Sequence, residues 1–195
     1  MACLAQQVNS LKSQLLLKSA IGDSLLATAY LRFEIEGQLH HIYHRSVPSL
    51  REFLDYHLNP RNVWLACMIR PILDNGEPDE TRIALAGLGW INTITDVTPD
   101  GKYKKAEVGM AFFREYQKRG IAGEFTEMLT DYAFDIPGVE ALFGTTPEPN
   151  RAALIFGRRM GFTQLPPLPL YTCWEGKPCA AIVSYLTKDS WMNRR

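Results

Sequence analysis

The strongest constraint on the fold is a change of rhythm inside residues 106–129. Residues 108–113 (Val-Gly-Met-Ala-Phe-Phe) form an apolar run of strand length. A charged turn follows over 114–119. From Gly120 onward Ile121, Phe125, Met128, Leu129 and Tyr132 recur at three- and four-residue spacing, the pattern of an amphipathic helix. The order is therefore strand, basic glycine-containing loop, helix. Such a junction suits an anion, because the first helical turn has backbone N–H groups without partners and carries the positive end of the dipole. Gly120 lets the backbone curl close to a bound group, and Ala122 and Gly123 keep the first turn free of bulk.

Around this junction the rest of the chain reads as an α/β arrangement. Residues 14–20 suit a first strand. Asp23 is placed to cap a helix with an apolar face of Leu25, Leu26, Ala29, Tyr30 and Phe33, ended by Gly37. Residues 38–45 fit either strand or loop. Pro48, followed by Leu50, Phe53, Leu54 and His57, predicts a short helix stopping before Asn59-Pro60. Residues 63–69 predict a buried strand, 83–95 its partner, and Pro99-Asp-Gly101 a turn into the strand through Val108; Asp74-Asn-Gly76 sits in the loop between the first two. After the helix over 120–134, residues 140–145 suit a strand and Asn150 opens a helix ending near Gly161. Residues 165–170, with three prolines, make a stiff approach to a closing hairpin of 171–174 and 180–186. The expected fold is thus a mostly antiparallel sheet flanked by helices. No repeat or linker divides the 195 residues, so one domain over 1–195 is expected.

Formal net charge is zero, which argues against a generally basic, nucleic-acid-coating surface. Lys12 and Lys18 interrupt the early leucines, so no signal peptide is read, and no run reaches the roughly 20 apolar residues of a membrane span. A soluble, cytoplasmic protein without a membrane partner is expected. Cys3, Cys67, Cys173 and Cys179 show no Cys-x-x-Cys spacing, which disfavours structural zinc. Cys173 and Cys179 flank a turn and are candidates to face each other across the hairpin. His40, His41 and His44 lack a Cys or carboxylate at ligand spacing, so no metal is assigned.

Gln117-Lys-Arg-Gly120-Ile-Ala122 fits the (Gln/Arg)-x-x-Gly-x-(Gly/Ala) signature of the GNAT superfamily of acyl-CoA-dependent N-acyltransferases. The longer Ala-Glu-Val-Gly-x(6)-Tyr-Gln-x-x-Gly-Ile-Ala resembles members that acetylate ribosomal-protein N-termini and small amines. A second segment, Asn150-Arg-Ala-Ala-Leu-Ile-Phe-Gly157-Arg-Arg-Met-Gly161-Phe162, is similar to the family's Asn-x-x-Ala-x-x-x-Tyr-x-x-x-Gly-Phe, with Gly157 at the tyrosine position. The resemblance is firm over 63–185 and loose before it. It implies a sheet with splayed central strands, acetyl-CoA as co-substrate and an amine acceptor on a small molecule or protein; it admits a homodimer. By resemblance, Gln117, Lys118, Arg119, Gly120, Ile121, Ala122 and Gly123 hold the pyrophosphate. Main-chain groups of Met110, Ala111 and Phe112 pair with the pantetheine arm, and Asn150 either touches it or caps its own helix.

Acyl transfer to an amine needs a neutral amine, a stabilised oxyanion and a thiolate able to leave. Amides near Ala111 and Phe112 are the expected oxyanion donors, and direct attack needs no protein nucleophile. Gly157 and Thr145 occupy positions where many members carry a tyrosine acid and some a glutamate base. Glu107 is then the candidate base, unless it is a strand-face residue paired with Lys104 or Arg114, and Tyr171 is the candidate acid. Trp90, Tyr43, Tyr56 and Trp174 are either acceptor-pocket walls or core. The alternatives are an acyl-CoA-binding module that has lost turnover and, less favoured, a modifier of nucleic-acid amines.

Overall fold

The computed structural model describes residues 8–9, 15–20, 24–43, 47–57, 62–70, 77, 79, 81–96, 104–166 and 171–194. Asp23, Asn59-Pro60, the 74–76 and 99–101 turns and most of the proline segment lie outside them. Strand β1 (Val8–Asn9) pairs antiparallel with β2 (Leu15–Ser19), so a strand forms in a stretch that carries no sequence pattern. Helix α1 (Leu25–Ile35) buries Leu26, Ala29, Tyr30 and Phe33 as its spacing requires. Its N-cap is Ser24, and Gly37 takes the left-handed backbone just past its end. Residues 38–45, expected as strand or loop, instead contain one helical turn, α2 (Leu39–Ile42). Helix α3 (Leu50–His57) opens with a reciprocal cap: Glu52 accepts from the Ser49 amide (2.7 Å) and the Glu52 amide donates to Ser49 Oγ (3.3 Å).

Strand β3 (Val63–Ile69) is nearly all buried, β4 (Ala84–Asp96) is long, and β5 (Lys104–Phe112) starts four residues before the apolar run that announces it. A single 3₁₀ turn (Arg114–Tyr116) leads into α4 (Ile121–Asp135). Then come β6 (Val139–Pro147), α5 (Arg151–Arg159), a two-residue β7 (Thr163–Gln164), β8 (Tyr171–Trp174), β9 (Lys177–Thr187) and α6 (Lys188–Met192). The strands lie in the order β1-β2-β3-β4-β5-β6-β9-β7, with β8 added to the start of β9. All pairs are antiparallel except β5–β6. The hairpin register sets Cys173 opposite Pro178 and Cys179 opposite Thr172. Neighbouring positions point to opposite faces, so the two thiols do not face each other, contrary to the sequence expectation.

The two faces of the sheet carry separate cores. Phe125, Leu129, Ala133 and Phe134 of α4 pack with Leu142, Ile91 and Trp191 on one. Leu26, Tyr30, Phe33 and Phe53 of α1 and α3 pack with Trp64, Leu88 and Phe113 on the other. Strand β5 feeds both by strict alternation: Ala106, Val108, Met110 and Phe112 join the α4 side, and Ala111 and Phe113 the α1 side. Gly89 lets α4 approach closely, since a Cβ there would fall 2.7 Å from the Phe125 ring.

Candidate functional site

Strands β5 and β6 pair only from Lys104↔Val139 to Glu107↔Phe143 and then part. Beyond that point the edge of β5 is open. The Phe113 amide donates to Ala86 on β4, so by alternation Ala111 and Gly109 also turn their main-chain groups to β4. Val108, Met110 and Phe112 turn theirs into the gap. Two contacts agree: a Cβ at Gly144 would sit 3.6 Å from the Val108 carbonyl, and Phe112 O accepts from Gln117 Nε2 at 2.9 Å. This corrects one expectation. Ala111 lines the gap, but its main-chain groups turn to Leu88, so of the three residues expected to pair with the arm Met110 and, through its amide, Phe112 face it, joined by Val108.

The gap is the floor of a cleft of about 650 Å³. Met110, Ala111, Phe112, Gln117, Ala122 and Asn150, all candidates from the sequence, line it, as do Gly157 and Trp174. At one end sits the glycine loop. Lys118 (φ 61°) and Gly120 (φ 82°) both take left-handed backbone, and Gly120 is the N-cap of α4. Alternation of such conformations turns successive amides toward one side, and no acceptor for the amides of residues 118–122 is present among the described hydrogen bonds. The Gly123 amide is different: it donates to Gly120 O at 3.3 Å within the turn. Gln117 fixes the loop to the end of β5 and also donates to Gln38 Oε1 (3.0 Å), a buried residue whose own amide donates to Glu36. Glu36 in turn accepts from the Arg114 amide at 2.9 Å, and Arg32 bridges Glu36 and Glu115 beneath the Phe113 ring. The tie from α1 to the loop carries no sequence motif; only the pairing of Gln38 with Gln117 exposes it.

Asn150 is the N-cap of α5, its Oδ1 accepting from the Ala153 amide at 3.2 Å. The capping reading therefore has a bond to show, although the residue also borders the cleft. At Gly157 an added Cβ would meet nothing nearer than Phe162 at 3.9 Å, so a larger side chain has room that the native residue leaves open. Of Tyr171 only the backbone position in β8 is described.

A second cavity of about 450 Å³ meets the cleft at Ile42, Trp90, Val108, Gly109 and Thr145. Glu107 lines it. Its carboxyl is pushed above the ordinary carboxylate range by burial, an effect partly offset by a hydrogen bond with Thr145. No ion pair to Lys104 or Arg114 is present; Lys105 lies over the Phe143 ring instead, and the Arg114 amide serves Glu36. A half-buried carboxylate poised above its usual value at the junction of two cavities is well suited to take a proton. Tyr43, Tyr56 and Trp90 line this cavity, so three of the four aromatics weighed as pocket walls stand together, while Trp174 belongs to the cleft. One residue went unread in the sequence, and another was considered there only as a metal ligand. Asn92 is the cross-strand partner of Glu107, 6 % exposed, with an Oδ1 that has no partner among the described residues. His41 packs its ring on Trp174 at 4.6 Å at the cleft wall, with Nδ1 unpartnered. Asn92 stands in no motif, and the place of both at the site shows only in the tertiary structure. No group of three or more His, Cys, Asp or Glu among the described residues is placed to hold a metal ion.

Comparison with known proteins follows the same lines. The family described as "Acetyltransferase (GNAT) domain" matches residues 31–163, beginning well before the point at which the motif-based resemblance becomes firm. A search of curated protein sequences finds no match. Among solved structures the chain is similar to a spermidine N-acetyltransferase from Vibrio cholerae in complex with CoA and spermine. That match has a TM-score of 0.72 and 17 % identity, and covers 92 % of this chain and 99 % of the other. A chimera of the Vibrio cholerae enzyme and hSSAT gives 0.68 at 19 % identity over 93 % and 100 % of the two chains. A dodecameric form of the Vibrio cholerae enzyme gives 0.64 at 16 % identity over 93 % and 98 %.

Proposed function

This chain belongs to the GNAT acetyltransferase family, and from that premise we propose that it transfers an acetyl group from acetyl-CoA to the primary amine of a small molecule. One observation carries the reading: Glu107 lies where a cofactor-sized cleft opens into a second cavity, beside the point at which β5 and β6 part. The pyrophosphate sits on the amides of residues 118–122, with Gln117 holding the loop in place. The pantetheine arm adds to the open edge of β5 through Val108, Met110 and Phe112, as a strand would. This brings the thioester to Gly109, at the mouth of the second cavity. The acceptor ammonium gives its proton to Glu107, directly or through water, and the neutral amine attacks the thioester carbonyl. The amides of Val108 and Met110 are the main-chain donors on the cleft side for the oxyanion, the role first expected of Ala111 and Phe112. The C–S bond then breaks and CoA leaves as thiol or thiolate. No tyrosine stands at Gly157, and Tyr171 is kept as the acid to test.

Support for a small amine comes from the solved neighbours, which are spermidine N-acetyltransferases. The deciding experiment is release of CoA thiol from acetyl-CoA in the presence of an amine panel, with products identified by mass spectrometry. Tight CoA binding without transfer to any amine would instead indicate the binding module that the empty tyrosine position allows. A homodimer is retained as the assembly to test, and light scattering separates it from a dodecamer such as one neighbour forms. No helix among the described residues is long and apolar enough to cross a membrane.

A further inference from the structure

We propose that the second cavity takes a primary amine carried on a flat apolar body, an arylalkylamine, in preference to a polycationic amine. The proposal rests on the acetyltransferase reading above and names its acceptor class. The walls are a continuous set of rings. Tyr43 meets Phe53 edge-on at 6.2 Å, Phe53 meets Trp64 at 6.0 Å, and Trp64 stacks on Trp90 at 5.1 Å with 24° between planes. Trp90 reaches this position because its cross-strand partner is Gly109: a Cβ there would lie 2.3 Å from the indole. The ring therefore lies across β5 at the junction of the two cavities, beside the expected thioester.

Charge points the same way. Among the described residues the lining contains two carboxylates, Glu52 and Glu107, and no lysine or arginine. Glu52 is already engaged, accepting from the Ser49 amide at 2.7 Å and the Ser49 hydroxyl at 2.8 Å, and those bonds hold its carboxyl below the usual range. Glu107, half-buried and opposite Asn92, is the better seat for a single ammonium. Asn92, opposite Glu107 and buried, adds at the same end of the cavity an Oδ1 with no partner among the described residues. A single cationic nitrogen thus finds Glu107 and Asn92, while a ring attached to it finds rings. A polyamine would bring further ammonium groups against aromatic walls, where the other lining carboxylate, Glu52, is exposed to solvent, and buried charge without a partner is costly. Cation–π attraction recovers only part of that cost.

The test is calorimetric titration of the CoA-loaded protein with tryptamine, phenethylamine, spermidine and putrescine, followed by turnover of the same amines with acetyl-CoA. Tryptamine is expected to bind about tenfold or more tightly than spermidine, the factor that one good aromatic contact supplies. Equal or tighter binding of spermidine overturns the proposal. Trp90→Leu should weaken tryptamine by about tenfold while shifting propylamine little; an equal loss for both amines overturns the wall assignment. Tyr56→Ala, at a residue 53 % exposed, gives the same comparison if the Trp90 variant does not fold. If tryptamine binds as expected and no acetylated product forms, the acetyltransferase reading fails and the acceptor class stands.

Discussion

At the scale of single residues, Glu107 ties three measurements together. Glu107→Gln keeps size and strand but removes the proton acceptor, so turnover at neutral pH should fall about 10²–10⁴-fold with acetyl-CoA affinity unchanged. The loss should shrink as pH rises and more acceptor is already neutral. In the wild type the rate should fall as pH drops through the raised Glu107 value. Stability moves the other way. Between the ordinary glutamate range and that raised value the folded chain binds the proton more tightly than the unfolded chain does. Stability therefore declines as pH rises through this window. Glu107→Gln removes the decline, so thermal melts should show the variant gaining on the wild type above the window and not below it. Gly109 offers a second test. Gly109→Ala places a methyl group into the Trp90 ring, and overpacking of this kind costs about 1–3 kcal/mol. Acceptor KM should rise more than acetyl-CoA KM, because it is the acceptor wall that must move. Neither role was fully legible from sequence. Glu107 stood out as a carboxylate on the right strand, but its partner Thr145 comes from β6, across a gap that a linear pattern does not show.

At the scale of elements, the glycine loop and the two helix starts answer to different physics. Gly120 adopts a conformation that costs an L-residue about 1–2 kcal/mol, and an added Cβ would meet nothing. Gly120→Ala should therefore lower stability by roughly that amount and weaken CoA by disturbing the amide cradle; urea melts and CoA titration check the two effects separately. Asn150→Ala removes a cap worth about 1 kcal/mol. If capping is its main role, the variant melts earlier yet binds CoA within a small factor of wild type. Helices α1, α3, α4 and α5 were legible because each buries one periodic face or begins at a strong signal. Strand β7 and helix α6 were not. Two residues pairing with β9, and five residues docked by Trp191 on Asp131 of α4 at 2.8 Å, owe their form to partners far along the chain. The long β9 was read only from its apolar second half, since Lys177-Pro-Cys carries no strand pattern and forms through pairing with β8.

Across the whole molecule, the proposed seat of CoA where β5 and β6 part would make the cofactor a structural member as well as a reactant. CoA at a hundred times its Kd should add about 2.7 kcal/mol to stability. Hydrogen exchange should slow at Met110 and Phe112, whose amides face the gap, with little change in β2 and β3 on the far side of the sheet. Slowing spread evenly over all strands would contradict the placement. Residues 108–123 and 150–162 announced this architecture in the sequence, because the cofactor's phosphates and arm impose a local backbone shape. The second cavity left no such trace: its walls come from α2, α3, β3, β4, β5 and β6, joined only by folding. The alternation along β5 divides labour between the two faces, with Glu107, Gly109 and Ala111 turned to the α1–α3 layer and Val108, Met110 and Phe112 to the other. A lineage carrying this scaffold is free to explore new acceptors by drift within residues 39–57, while the machinery that handles the thioester stays under its own, separate selection.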